Sequence, residues 1–396
     1  MLPQRSFEDY KVVACLFAIL FIGVADSQIL SPLLPVIQSE IGKTSSEMGL
    51  LFTGYAVCAG LSVLIWGPFS DIFGRGNGLR CGLFLFSFGS VLSFLAAGFT
   101  SLLWGRIVTG MGASMLSLNT ISYAADYFPY RKRGWAMGAI FSSYFAALIF
   151  GVPLGAWVGD IFGWNAVFGV MGGLAFSVLL STRYIMPKSS FNRDLQNRTQ
   201  FLTFVYRYIG FLRGRNTLGA LVCSFFASAG MMGFISFLGK WLYDSFSVSS
   251  SKVGLVFLVF GAAAALTSPI AGTIADKIGK RLQFIISSFI LALALFFLPL
   301  QSWGALLFAL FFCISVCAAF RQGPLEAVLS EIVPSAFRGM FIALKNSFSQ
   351  LGIGLATLFS GVLFEREGYW AVCFLSAAAH LLAASTMLLT LKKKNL

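Results

Sequence analysis

Mainly apolar stretches of about 20 residues, each the length a helix needs to cross a bilayer, recur along the whole chain. They lie at 12–36, 48–69, 79–98, 101–127, 135–158, 164–184, 217–243, 252–275, 282–299, 303–331, 340–363 and 369–391. Few folds survive that pattern. Backbone N–H and C=O groups find no water in hydrocarbon, so a spanning chain is either helical or a closed barrel. A barrel strand reads as about ten residues of alternating polarity, whereas these runs are continuous. Composition agrees: of 396 residues 58% are hydrophobic and 11% charged, with a mean hydropathy of +0.84. A soluble domain carries about 25% charged residues. The expected class is an all-α integral membrane protein of twelve transmembrane helices.

The formal net charge of +13 raises the question of a nucleic-acid partner, and its distribution answers it. With the N-terminus placed in the cytoplasm, 21 of the 28 Lys and Arg fall on the cytoplasmic side. Only Lys43, Lys252 and Arg366 fall on the other, and Arg106, Lys240, Arg321 and Lys345 lie inside spans. This is the positive-inside pattern, which predicts both termini in the cytoplasm. The basic excess orients the chain and gives no reason to expect nucleic acid. The first stretch follows Glu8 and Asp9 and lacks a small-residue cleavage site, so it reads as a retained helix, not a signal peptide. Seven cysteines all sit in apolar stretches without metal or redox spacing. No metal and no cofactor are expected. Short loops without appended domains point to a bacterial inner membrane.

Sliding the chain against itself by 205 residues exposes an internal repeat. Ser45-Ser46 falls on Ser250-Ser251, Gly49 on Gly254, Gly67 on Gly272, Asp71 on Asp276, Gly74 on Gly279 and Arg75 on Lys280. Asp126 falls on Glu331, Pro129 on Pro334, Arg133-Gly134 on Arg338-Gly339 and Gly163-Trp164 on Gly368-Tyr369. Each copy holds six spans, so both face the same way, as two parallel six-helix repeats about an axis along the membrane normal. The expected organisation is a first bundle at 1–184, a basic cytoplasmic linker at 185–215, and a second bundle at 216–396. Within the linker, residues 201–212 mix aromatics with Arg207 and read equally as an interfacial helix or as plain connection.

Two six-helix halves with these loop motifs resemble the major facilitator superfamily, over nearly the whole chain apart from termini and linker. Gly67-Pro-Phe-Ser-Asp71-Ile-Phe-Gly74-Arg75 resembles the family's signature between the second and third helices. Gly272-Thr-Ile-Ala-Asp276-Lys-Ile-Gly279-Lys280-Arg281 is its second copy and is nearer the pattern. The first copy departs, with Ile72 and Gly76 where bases are usual. The resemblance implies a cytoplasmic gate built from these residues with Asp126, Arg133, Glu331 and Arg338. Arg106-x-x-x-Gly110-x-Gly112 resembles the proton-linked arginine motif. Gly151-Val-Pro153-Leu-Gly155-Ala-Trp-Val-Gly159 resembles the fifth-span motif of the drug:proton antiporter and arabinose-efflux-like branch. Independently of the family, glycines four apart are a small-xxx-small helix contact. The resemblance also implies a cavity lined by helices one, four, seven and ten, with the monomer as the family default.

Ionisable side chains at membrane depth are expensive and face a partner or a cavity. At 1.5 Å per residue, Asp26 lies about 21 Å from the cytoplasmic end of its span and Arg106 about 8 Å from the opposite end of the fourth. In a core of about 30 Å those depths match, so the two can pair. A carboxyl group held between burial and a guanidinium can exchange a proton as water and substrate come and go. The competing reading is a permanent structural ion pair. In the second half, Glu326 and Lys345 fall at like depth and are expected to pair. Arg321 lies deeper, beside Gly323-Pro324, and either contacts an anionic group of the substrate or joins Glu326 and Lys345. Lys240 is expected to snorkel, and the lone His380 reads as a packed polar residue.

The chain has no Walker A loop, nucleophile elbow or Cys/His zinc pattern. The expected function is proton-coupled secondary transport by alternating access, exporting a small amphipathic organic compound. Uptake of a nutrient, metabolite or chelator by proton symport is the alternative, and an integral-membrane enzyme is the reading from another class. The expected partners are a small-molecule substrate, protons and the lipid bilayer.

Overall fold

The computed structural model describes residues 6–186, 200–334 and 337–390, without the side chains of residues 67–72, 200–206 and 330. The described residues are helical almost throughout. The first half comprises α1 (Phe7–Ile41), α2 (Ser45–Phe73), α3 (Arg75–Phe94), α4 (Phe99–Tyr127), α5 (Tyr130–Ala146), a π-helical turn (Ala147–Gly151), α6 (Val152–Phe162) and α7 (Trp164–Ile185). A short helix, α8 (Gln200–Arg213), precedes the second half. That half comprises α9 (Arg215–Phe246), α10 (Ser250–Ile278), α11 (Lys280–Phe297), α12 (Ala305–Ile332), α13 (Arg338–Glu367) and α14 (Tyr369–Thr390). With α5, the π turn and α6 taken as one span, each half holds six long helices. Ten of these helices are long and apolar enough to cross a membrane. α3 and α4 are long enough but fall below that hydropathy, because Gly, Ser and Arg dilute their apolar residues.

Several helices outrun the apolar stretches that predict them. α1 begins at Phe7, not residue 12, because Ser6 and Asp9 form a capping box that satisfies two of the first-turn N–H groups. Thr44 and Glu47 do the same for α2. α3 is shifted toward the N-terminus, ending at Phe94 rather than 98. The region between the halves, read as helix or plain linker, holds α8. Its Phe211 meets Phe341 edge-on at 5.5 Å, and Arg207 lies over the Phe337 ring at 4.6 Å.

The repeat is written into the backbone. The positive-φ positions among the described residues are Gly42 and Ser247, Gly74 and Gly279, and Gly163 and Gly368. Each pair is separated by 205 residues. The φ values at the glycine pairs are 87° and 94°, and 85° and 82°. At these corners one helix stops and the next starts almost at once, which requires left-handed φ and favours glycine.

Packing sets the overall shape. One apolar cluster draws on both halves: Leu30, Leu33 and Phe52 meet Phe237, Leu238 and Phe257. It occupies the end opposite the start of α1 and the end of α14, here called the far end. At the basic end, where α1 begins and α14 ends, the core divides. Leu16, Phe86 and Phe128 belong to a cluster confined to the first half, and Phe284, Leu329 and Phe341 to one built on the second, with Leu64 at its margin. α4 and α12 make no extended contact. The halves thus share a core at the far end and keep separate cores at the basic end, where α2 still packs on α13 as far as Gly60 and Leu64. Around the outside, Phe88, Trp104, Phe150, Trp157, Phe289 and Phe374 stand exposed, a surface for lipid to cover.

Candidate functional site

The most deeply buried charges belong to the first half. Asp26 on α1 is 0% exposed and Arg106 on α4 is 1%. Arg106 Nη1 donates to both carboxylate oxygens of Asp26 at 2.9 Å. The guanidinium also lies 4.6 Å from the Tyr55 ring centre and 5.5 Å from that of Phe168. Aromatic faces attract a cation, so α2 and α7 help hold what α1 and α4 present. Arg106 Nε has no partner among the described residues.

Glycine makes this approach possible. On α6 and the π turn, Gly151, Gly155 and Gly159 face Ala25, Ile29 and Leu33 of α1. Both series run at intervals of four, so two helical ridges lie side by side. A Cβ added at Gly151 would stand 2.8 Å from that of Ala25, the neighbour of Asp26. Gly110 packs against the backbone of Tyr55 and Gly112 against that of Phe86. Across the halves, a Cβ on Gly254 would stand 2.9 Å from Cα of Pro153. Gly261 of α10 packs on Leu148 and Ile149, so the π turn lies at the crossing of α1 and α10, beside the buried pair. π-turns mark helices under local strain and concentrate at functional positions.

In the second half, Lys345 Nζ donates to Glu326 Oε1 at 2.7 Å, and Gln322 Nε2 donates to the same oxygen at 3.1 Å. The Lys345 side chain is 10% exposed and that of Glu326 42%, so this pair is much wetter than the first. Arg321 does not join it. Five residues on one helix separate Arg321 and Glu326 by about 140° of rotation, and they face different neighbours. Arg321 Nη1 lies 2.9 Å from His380 Nδ1 and donates to the Ala227 carbonyl at 3.1 Å. His380, read from sequence as a packed polar residue, is 0% exposed and partners this arginine. Pro324 lacks the N–H that would bond the Phe320 carbonyl, and Gln283 of α11 donates to that carbonyl at 3.0 Å instead. Lys240, expected to snorkel, pairs with Asp244 at 2.8 Å.

The loop signature lies at the basic end. Arg75 Nε meets Asp126 Oδ2 at 2.8 Å, and Lys280 Nζ meets Glu331 Oε1 at 2.6 Å. The two bridges are related by the repeat, and each stays within its own half. Asp276 is exposed in the last turn of α10, with no ion pair among the described residues. Arg281 donates to the Leu388 carbonyl, Arg133 donates to that of Phe128 at 3.4 Å, and Arg338 is exposed. Gly272 has open space around it, and Gly279, like Gly74, makes a helix corner. Gly67 and Asp71 lie in the helical backbone of α2, and their side chains lie outside the described ones.

None of the ion pairs among the described residues joins the halves. The carboxylate contacts that join them are at the far end. Glu365 at the end of α13 accepts from Ser46 N at 2.9 Å and Ser46 Oγ at 2.5 Å. Asp160 at the end of α6 accepts from Ser251 N at 2.8 Å and Ser251 Oγ at 2.5 Å. Each clamp seats a carboxylate from one half on a helix N-terminus of the other, and the repeat carries one onto the other. Between them Ser31 Oγ donates to the Ile235 carbonyl at 2.5 Å and accepts from Gly239 N at 3.3 Å. Sequence reasoning had aligned the serine pairs but missed their acids. The signal was present: Asp160 and Glu365 each stand three residues before an aligned glycine.

Comparison with known proteins gives one consistent answer. The family model described as Major Facilitator Superfamily matches residues 16–240 and 220–395. The chain is 27% identical over 378 residues to the uncharacterized MFS-type transporter YwfA of Bacillus subtilis, covering 94% of this chain and 90% of that one. It is 22% identical over 394 residues to the inner membrane transport protein YdhP of Escherichia coli K12, covering 98% and 97%. Its fold is similar to the crystal structure of a D-xylose–proton symporter, with a TM-score of 0.80 at 19% identity over 98% of both chains. A multi-pass helical bundle of two repeated halves whose relatives are transporters, matched by that family model over nearly its full length, belongs to the major facilitator superfamily.

Proposed function

We propose that this chain is a proton-coupled secondary transporter working by alternating access. It acts as a monomer in a bacterial inner membrane with both termini in the cytoplasm, and it exports a small amphipathic organic compound. The observation that carries the coupling is the Asp26–Arg106 pair. Its carboxylate is wholly buried, bonded among the described residues only to a guanidinium, and next to Ala25, on which the π turn packs. Burial and the guanidinium act on the carboxyl proton in opposite senses. Taking up a proton there cancels the ionic bond between α1 and α4 and frees α1 to shift against α6. In this orientation the end at which the halves keep separate cores faces the cytoplasm, and the far-end clamps lie on the other side. The Arg75–Asp126 and Lys280–Glu331 bridges brace the loops that close the mouth in the opposite state.

Asp26→Asn keeps the size of the side chain and removes the titrating group. In proteoliposomes the variant is expected to lose flux driven by a pH gradient while folding and inserting normally. Undiminished gradient-driven flux takes Asp26 out of the mechanism. The fifth-span glycine motif favours export. The likeness to a D-xylose–proton symporter favours the second reading, uptake of a nutrient, metabolite or chelator with protons. Vesicles of known orientation separate the two: antiport loads everted vesicles that are acid inside, and symport loads right-side-out vesicles that are acid outside.

A further inference from the structure

Arg321 is the one buried cation among the described residues without a carboxylate. Arg106 has Asp26, and Lys345 has Glu326. Arg321 is 3% exposed, and its partners among the described residues are a backbone carbonyl and a neutral-capable ring nitrogen. A guanidinium only donates, so His380 Nδ1 accepts from it and the imidazole hydrogen sits on Nε2. Neither that Nε2–H nor Arg321 Nε–H has an acceptor among the described residues. A full positive charge and two orphaned donors thus lie together, where an unpaired charge is costly.

Both orphaned donors are enclosed in this state, and the helix that carries Arg321 is the one built to move. The Arg321 guanidinium reaches from α12 to Ala227 on α9, and these two helices otherwise barely touch. Ala227 and Cys223 line the α9 side, and Gly230 gives its side-chain space to the His380 ring. On α12, Gln322 and Gly323 are exposed about 100° and 200° around the helix from Arg321, so the open space at Gly323 lies on the helix's other face. The Pro324 bend, with its carbonyl already transferred to Gln283, lets this part of α12 hinge without losing a hydrogen bond.

The geometry points to the gap between α9 and α12 as an anion-binding subsite, in which Arg321 and His380 receive a carboxylate or phosphonate group of the transported compound. This rests on the transporter reading above and narrows its substrate to an amphipathic anion. The two orphaned donors and the planar fork suit an oxyanion better than a halide, because a fork matches two oxygens at once.

The test uses purified full-length protein in detergent, with benzoate and phenylphosphonate as probes and benzamide as the uncharged analogue, read by thermal shift. The anionic probes are expected to raise the melting midpoint, and benzamide to leave it unmoved. Arg321→Gln should weaken the anion response about 30-fold or more, the usual scale for removing one member of a buried charge pair. His380→Phe, which keeps a ring but no donor, should weaken it about 2- to 10-fold. Arg321→Lys keeps the charge without the fork and serves the same comparison if the glutamine variant does not fold. An equal response to benzamide, no response to either anion at saturation, or an undiminished response in the folded Arg321 variants overturns the subsite. None of these measurements needs a proton gradient. A failed anion response beside intact pH-driven flux removes the subsite alone, and lost coupling in the Asp26 assay leaves the anion result standing.

Discussion

Glu326 and Lys345 meet at 2.7 Å, yet 42% of the glutamate side chain is exposed. Breaking a buried pair costs about 3–5 kcal/mol, but an exposed one is worth about 0.2–1 kcal/mol. The exposure places this pair near the lower figure. A double-mutant cycle on Glu326→Gln and Lys345→Met, read from melting midpoints, should give a coupling below about 1 kcal/mol. The same cycle on Asp26→Asn and Arg106→Gln should give several-fold more, and equal couplings would show that burial does not separate the pairs. Ser247 is a second residue-scale test. Its φ is 52°, where the repeat-related residue is Gly42. Ser247→Gly is expected to stabilise the protein by up to about 1 kcal/mol, because glycine carries no Cβ penalty there. A lowered melting midpoint would mean that the serine makes a contact worth more than the strain.

Among the elements, the α5–π–α6 span does the most. Its glycines let α6 lie on α1 beside Asp26, and its last turn carries the Asp160 clamp. Gly155→Val would drive side-chain atoms into Ile29, whose Cδ1 would stand 2.8 Å from the new Cβ. Overpacking of this kind typically costs about 1–3 kcal/mol. The expected outcome is a melting midpoint lower than that of wild type, with reduced pH-driven flux in whatever protein folds. Gly173, which has open space at its Cβ, is the control, and its alanine variant should be nearly neutral. If both substitutions behave alike, the contact between α6 and α1 is not tight.

At the scale of the whole molecule, the halves share a core at the far end and separate ones at the basic end, and two repeat-related clamps lock the shared end. A side chain capping a helix N-terminus contributes about 0.5–2 kcal/mol. Asp160→Asn and Glu365→Gln should each shift the balance toward the state open at the far end by about 5-fold, taking about 1 kcal/mol per cap. The clamps share no residues, so the double variant should multiply the two shifts. Thiol-reagent labelling of a cysteine placed inside the far-end seal reads this directly. Unchanged labelling in the double variant would show that apolar packing alone keeps that end shut.

The length and recurrence of continuous apolar runs, charge asymmetry and a constant offset of 205 residues were enough to give the class, the number of long helices and the duplicated architecture. Each is a property of consecutive residues answering to one solvent, the bilayer. Depth along a helix could also be counted, which brought Asp26 to Arg106 and Glu326 to Lys345. The roughly 140° between Arg321 and Glu326 could be counted as well, but not which neighbouring helix each face meets. That is fixed by side-chain packing among helices distant in sequence, so Arg321 turns to His380 and away from Glu326. The Asp160–Ser251 and Glu365–Ser46 clamps, and the parting of the core at the basic end, depend in the same way on how one six-helix half is docked on the other. Two such dockings share nearly the same helices and local propensities, and only the contacts between the halves choose the one that forms.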